Sequence, residues 1–173
     1  MENKNVFKTG SLLTISLLVI LFMIPAGAFT QTAANFSGIW AFNESKSNLG
    51  EGQFRMASQK LVITQEANTF SIERAFTNPN GEEMKISEKY TLDGKVSKNP
   101  VFNSEKKSTA TWSADKKALT VSSVVVFEMS GEKNEIKTVE VYTLGDAGKT
   151  LTINSTSTSS RGERKNTLVY DKK

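Results

Sequence analysis

From residue 59 onward, apolar and polar residues alternate in short runs, and turn-forming residues separate the runs at nearly even spacing. Alternation of period two marks strands with one buried face, and its repetition at this spacing predicts an all-β meander. The pattern places strands near 59–65, 69–76, 84–92, 95–102, 107–112, 118–129, 136–144, 150–158 and 164–170, after a first strand from Trp40 to about Asn43. Pro100 interrupts 95–102 and makes it the weakest of them. The Thr/Val/Ser richness of 118–126 and 150–160 favours strand, and no segment in this region keeps a helical period. Residues 44–58 are polar, contain Gly50 and Gly52, and are too long for an ordinary hairpin loop; loops of this length often act as lids or binding loops.

Turn chemistry fixes which side chains share a face, because a strand shifted by one residue presents the opposite side. Asn78-Pro79-Asn80-Gly81 suits a three-residue loop with Gly81 left-handed. That loop sets Phe76 opposite Met84, Arg74 opposite Ile86, Ile72 opposite Glu88 and Phe70 opposite Tyr90. The same bookkeeping sets Trp112 opposite Leu119, Phe127 opposite Thr138, and Tyr142 opposite both Ser123 and Leu151. It also sets Ile153 opposite Tyr170 and Ser155 opposite Leu168. The inner face then carries Arg74, Glu88, Glu140, Ser155 and Asn166 among large apolar and tyrosine side chains, while Val124, Val126, Val139 and Val141 gather outside. An internal echo supports a shared register: Glu88-Lys89-Tyr90-Thr91-Leu92 resembles Glu140-Val141-Tyr142-Thr143-Leu144, with carboxylate and tyrosine pointing the same way before a Gly/Asp turn.

Residues 1–28 read as a signal peptide. Lys4 and Lys8 precede an apolar run from Leu12 to Ile24, and Ala26-Gly27-Ala28 offers a small-residue cleavage site, with a second after Ala34. The apolar run is short for a membrane span, and an uncleaved anchor is the rival reading. The domain proper is then 35–173. A chain of 173 residues with no cysteine and no histidine can bury a real core, but it lacks thiolate chemistry, disulfides and the commonest catalytic base and metal ligand. Export without cysteine suggests a bacterial envelope, secreted or periplasmic. The net charge of +4 is scattered rather than striped, so no nucleic-acid partner is expected. The presumed outer faces carry Lys85, Ser87, Lys89, Thr91, Thr111 and Ser113, which rules out the lipid-facing band of an outer-membrane barrel.

Phe36-Ser37-Gly38-Ile39-Trp40, the long following loop and the meander resemble the lipocalin-like β-barrels, and small secreted bacterial members above all. The resemblance implies an up-and-down barrel of about 8–10 strands, with Gly38 and Trp40 as a structural plug at one end and 44–58 bordering the mouth. Lipocalins often cover that Trp with an arginine near the end of the last strand; here only Lys172 and Lys173 stand there. Their Thr-Asp-Tyr motif is missing, as is the Arg-x-Tyr carboxylate site of fatty-acid-binding proteins.

The expected function is non-enzymatic binding of a small apolar or amphipathic molecule in the lumen, with no cofactor and no metal. Candidate ligand contacts are Arg74, Glu88, Tyr90, Glu140, Tyr142, Ser155 and Asn166. Arg74 could clamp an acidic ligand through its planar fork or pair with Glu88 diagonally across the hairpin. Pairing is favoured, because burying either charge alone is costly. Glu88 and Glu140 as a catalytic pair is a weak alternative, since nothing sets one carboxylate apart from the other. The rival function is a packed barrel that meets a protein partner through the outer Val patch.

Overall fold

The computed structural model describes residues 32–50, 57–78, 80–129 and 131–173; the expected signal peptide over 1–28 and part of the long loop lie outside the described residues. Ten antiparallel strands follow in chain order: β1 (Gly38–Phe42), β2 (Lys60–Gln65), β3 (Thr69–Thr77), β4 (Glu83–Thr91), β5 (Ser97–Val101), β6 (Ser104–Trp112), β7 (Ala118–Met129), β8 (Glu132–Gly145), β9 (Thr150–Ser159) and β10 (Gly162–Lys172). Each pairs with its neighbour in sequence except at one place, and β1 also pairs with β10, giving the order β4-β3-β2-β1-β10-β9-β8-β7-β6-β5. The result is an all-β, nearly closed up-and-down barrel. Closure through β1 and β10 leaves no edge there to template aggregation.

The open seam lies between β4 and β5, where side chains replace the missing ladder. The Asn99 amide accepts from Lys89 N–H at 2.7 Å and donates to the Lys89 carbonyl at 3.1 Å, as a facing strand would. Ser97 Oγ accepts from Thr91 N–H at 3.0 Å. Pro100, which lacks a backbone donor, is exposed on this edge strand, where such a residue does least harm.

The β3–β4 hairpin has the register its turn demands. Phe76 faces Met84, Ile72 faces Glu88 and Phe70 faces Tyr90, and Gly81 is left-handed with φ +84°. Trp112 faces Leu119. The later hairpins differ from the sequence expectation by even numbers of residues. Tyr142 faces Leu119 and Ile153 rather than Ser123 and Leu151, and Phe127 faces Asn134 rather than Thr138. Ile153 faces Leu168 rather than Tyr170, and Ser155 faces Asn166 rather than Leu168. The cause is tighter turns: β7 and β8 meet across Met129 and Glu132, and β9 and β10 across Ser159 and Gly162. Even shifts keep every side chain on its expected face, so the inner and outer sets survive.

One end of the barrel is filled. Trp40, Phe36, Phe70, Tyr90, Tyr142 and Tyr170 are completely buried there with Leu61, Leu119, Leu151 and Ile153. The segment before β1 crosses beneath them. Ala34 N–H donates to the Lys116 carbonyl at 2.9 Å, and Gln65 brackets the same segment, accepting from Phe36 N–H at 3.0 Å and donating to the Ala34 carbonyl at 2.8 Å. Phe36 then stacks on Trp112, with centroids 5.9 Å apart, and meets Phe70 and Tyr142 edge-on. Trp40 donates its indole N–H to the Phe36 carbonyl at 2.9 Å. Its ring is covered by Lys172, whose ammonium lies 5.2 Å from the ring centre, a cation–π contact. Gly38 makes room for this arrangement: a Cβ there would stand 3.0 Å from Lys172 Cε, on a backbone with φ +147°.

Replacing Trp40 with alanine is expected to cost about 3–5 kcal/mol in urea unfolding, the usual range for emptying a fully buried aromatic site; a cost near zero would contradict the plug. Asn99→Ala is expected to accelerate hydrogen exchange at the Lys89 amide well beyond that of the β3–β4 ladder, with little effect elsewhere. Unchanged protection at Lys89 would show that the seam does not depend on that side chain.

Candidate functional site

Above the aromatic floor the inward positions of four strands form a polar layer. Arg74 projects from β3, Glu88 from β4, Lys106 from β6, and Glu140 with Tyr142 from β8. Arg74 Nε lies 3.3 Å from Glu88 Oε2, and one terminal nitrogen lies 2.7 Å from Glu140 Oε2 and 2.5 Å from the Tyr142 hydroxyl. Tyr142 donates in turn to Glu140 at 2.8 Å. The second oxygen of Glu88 is 2.5 Å from Lys106 Nζ. The diagonal Arg74–Glu88 pair is therefore the middle link of a longer chain, Lys106–Glu88–Arg74–Glu140, that spans the lumen.

The echo in the sequence acquires a physical meaning here: both carboxylates converge on one guanidinium, each with a buried tyrosine two residues on. The halves are not equivalent. Tyr142 bonds directly to Arg74, whereas the Tyr90 hydroxyl makes no aligned hydrogen bond.

Burial by itself would weaken the charge on Arg74, but Glu140, Tyr142 and Glu88 outweigh it and hold its pKa well above the ordinary value. Burial likewise pushes Glu88 up, yet Arg74 and Lys106 reverse the sign and leave it below the usual carboxylate range. Desolvation raises Tyr90 and Tyr142 well above 10 and pushes Tyr170 up to about 12.

Towards the other end, past Ser155 and the Thr138–Ser157 hydroxyl pair at 3.0 Å, the β7–β8 and β9–β10 hairpins enclose a concave mouth of about 550 Å³. Its wall includes Phe127, Asn134, Ile136, Ser157, Arg164 and Asn166, positions that share the inward parity of their strands. Ser155, buried, stands opposite both Glu140 of the polar layer and Asn166 of the mouth wall in the register. The Asn166 amide, oriented so that its nitrogen donates, bonds the Leu49 carbonyl at 2.6 Å. It thereby ties the start of the long loop to β10, as does the backbone pairing of Asn48 with Thr167.

Of the seven residues expected to face a ligand, Arg74, Glu88, Glu140 and Tyr142 meet in the ionic layer, Tyr90 is buried in the aromatic floor, and Ser155 and Asn166 lie on the side of the mouth. Sequence reasoning missed Lys106, although parity could have found it, since Trp112, Ala110, Ser108 and Lys106 alternate inward along β6. It also missed Phe36 as part of the plug and Ile136 and Arg164 as mouth residues. Among the described residues, no group of three acidic side chains is placed to hold a metal ion, and no helix is long and apolar enough to cross a membrane.

Comparison with solved structures bears on this architecture. Zebrafish ileal bile acid-binding protein complexed with cholic acid superposes with a TM-score of 0.53 at 16% identity, over 80% of this chain and 98% of that one. The barrel is lipocalin-like. An abundant heat soluble (SAHS) protein from Ramazzottius varieornatus is similar at a TM-score of 0.50 and 14% identity, over 83% of this chain and 98% of that one. No protein-family model and no curated sequence matches the chain. At these identities the likeness establishes the fold alone, and the inward residues of this lipocalin-like barrel must be interpreted on their own chemistry.

Glu88 keeps Lys106 when Arg74 is removed, and Arg74 keeps Glu140 when Glu88 is removed, but either change leaves the buried layer one charge out of balance, so Arg74→Met and Glu88→Gln are each expected to destabilise by about 3–5 kcal/mol. The double variant is expected to cost clearly less than their sum in a double-mutant cycle; additive effects would show the two to be energetically independent. The pH dependence follows from the two signs of shift. Glu88 is lowered on folding, so its contribution is complete above about pH 4.5, its unperturbed value, and fades as pH falls further. Tyr170 is raised, so its contribution is complete below pH 10 and is lost as pH climbs towards about 12. All three tyrosines of the chain are buried. Tyrosinate absorbance is therefore expected to emerge together with loss of the strand circular dichroism signal, not as a smooth titration of the folded protein near pH 10.

Proposed function

We propose that this chain is an exported, non-enzymatic binding protein that takes a small apolar or amphipathic molecule into the mouth of its barrel. The observation that carries the reading is the concave site of about 550 Å³ between the two long hairpins, within the volume range of small-molecule sites and lined by a few apolar groups with interspersed polar ones. Phe127 and Ile136 offer apolar surface; Asn134, Ser157 and Asn166 offer hydrogen bonds. The cholic acid complex of the zebrafish protein supports such a use of this fold. A binding role rather than catalysis is supported by the engagement of both lumenal carboxylates with the same guanidinium, which leaves no separate acid and base. Export rests on residues 1–28 as a signal peptide, and a secreted or periplasmic location of a small bacterial lipocalin-like protein on the absence of cysteine.

A second reading has its own observation. Val126 and Val139 are 42% and 41% exposed on the outer face they share with Val124 and Val141, and Val96, Val124 and Val139 border a shallow outer recess of about 380 Å³. A protein partner seated on this patch, with the barrel acting as a rigid scaffold, is the alternative.

Extraction of the purified mature protein into organic solvent, followed by mass spectrometry, is expected to release a co-purifying small molecule. The uncharged dye Nile red is expected to bind the emptied protein with enhanced emission. Ile136→Trp, which fills the mouth, is expected to weaken dye binding by roughly tenfold or more, about 1.4 kcal/mol, at nearly unchanged stability. Dye binding that ignores Ile136→Trp but is lost in Val139→Glu would transfer the activity to the outer patch.

A further inference from the structure

We infer that the ligand group reaching the base of the mouth is an uncharged hydrogen-bonding head, such as an alcohol, and that the polar layer discriminates against carboxylates. This deepens the lumenal binding reading above and rests on it. The argument begins with charge. Two cations, Arg74 and Lys106, face two carboxylates, Glu88 and Glu140, so the layer is balanced before any ligand arrives. An anion-binding site needs an unspent cation, and here both are committed: Lys106 and the Arg74 Nε to Glu88, and a terminal Arg74 nitrogen to Glu140 and Tyr142.

Accessibility sharpens the point. Glu88 is sealed, with its side chain 1% exposed, while Arg74 and Glu140 are each 13% exposed. The carboxylate that can be approached is thus Glu140, one register step from Ser155, which leads to the mouth. A second carboxylate brought there would meet like charge in a poorly solvated space, and both that repulsion and the desolvation of the ligand oppose binding. A hydroxyl would instead donate to Glu140 and accept from Ser155 or the edge of the guanidinium. The layer also keeps spare hydrogen-bonding capacity: the Tyr170 hydroxyl, within electrostatic reach of Arg74 and Glu140, is buried with no partner among the described residues.

The test is competition against Nile red by four ligands of equal chain length: a ten-carbon alcohol, the matching acid, its methyl ester and the alkane. With the wild-type mature protein at neutral pH, the alcohol is expected to displace the dye at roughly tenfold lower concentration than either the acid or the alkane, with the ester closer to the alcohol. Glu140→Gln is expected to leave a net positive layer and close the gap between alcohol and acid. An acid that binds as well as the alcohol in the wild type overturns the inference while leaving lumenal binding intact. An alkane that matches the alcohol overturns it as well, because the floor would then contribute nothing. If Glu140→Gln does not fold, the wild-type ranking of acid, ester and alcohol decides the question. Failure of all four ligands, with the dye still sensitive to Ile136→Trp, overturns this assignment but not the mouth as a site; failure of the dye itself overturns both.

Discussion

One buried guanidinium ties the walls of the barrel together. Arg74 on β3 reaches Glu88 on the adjacent strand and Glu140 with Tyr142 on β8, which lies across the lumen in the ordering of the sheet. Through Glu88 the connection continues to Lys106 on β6, beyond the seam that no ladder closes. An antiparallel meander of neighbours alone would hold its two halves together only through β1 and β10. Beside the Asn99 and Ser97 bonds at the seam, the ionic layer adds a further link, at the level where the aromatic floor ends and the mouth begins. Such a layer is not an efficient source of stability, because desolvation of the charges offsets much of their attraction. Its consequences are geometric.

The same reasoning explains the filled end. Trp40 is held by a hydrogen bond to Phe36, capped by Lys172, and admitted by the missing side chain at Gly38. Each element comes from a terminal strand or the segment before it, so closing the barrel and building the plug are one event. The lumen is consequently divided: packed aromatics at one end, ions across the middle, and a mouth whose walls belong to the two longest hairpins. The concave mouth of about 550 Å³ lies in the part of the barrel beyond the plug and the ionic layer.

Much of this was legible in the sequence. Alternation predicted the strands, and the Asn78–Gly81 turn gave an unambiguous register to β3–β4, because only a three-residue loop kept apolar opposite apolar. The sequence alone therefore pairs Arg74 with Glu88. Other features had no local signal. Lys172 stacks on Trp40 across a sequence separation that no pattern bridges, and the seam depends on the side chain of Asn99 in a run that Pro100 made ambiguous. The long hairpins differ from the expected register because β7 and β8 pair as far as Met129 and Glu132, and β9 and β10 as far as Ser159 and Gly162, closer together than the sequence pattern suggests. Lys106 is a different case: it obeys the parity of its strand, and was missed because lysine on an inner face contradicts the usual expectation for solvated ammonium groups.

Those register errors were all even, and this points to what the ionic layer does. A slip of one residue turns a strand's apolar face to water and is heavily penalised; a slip of two keeps every apolar residue inside and is nearly invisible to burial. Hydrophobic patterning thus specifies a barrel but leaves a family of even registers close in energy, most of all for β7 and β9, where Thr, Ser and Val recur along a face. Polar groups that must meet at hydrogen-bonding distance break this degeneracy. Moving β8 by two residues would bring Thr138 or Tyr142 to the level of Glu140, leaving Arg74 with one carboxylate in place of two and displacing the Tyr142 hydroxyl from its nitrogen. The penalty for an under-paired buried charge falls on the slipped states and not on the native one. On this reasoning the ion cluster selects one member from a set of barrels that the hydrophobic effect alone would tolerate, and the turns at Gly81 and Gly131 make the same choice locally. The shape of the mouth follows from that choice, because its walls are the parts of β7 to β10 that extend past the ions once the register is set.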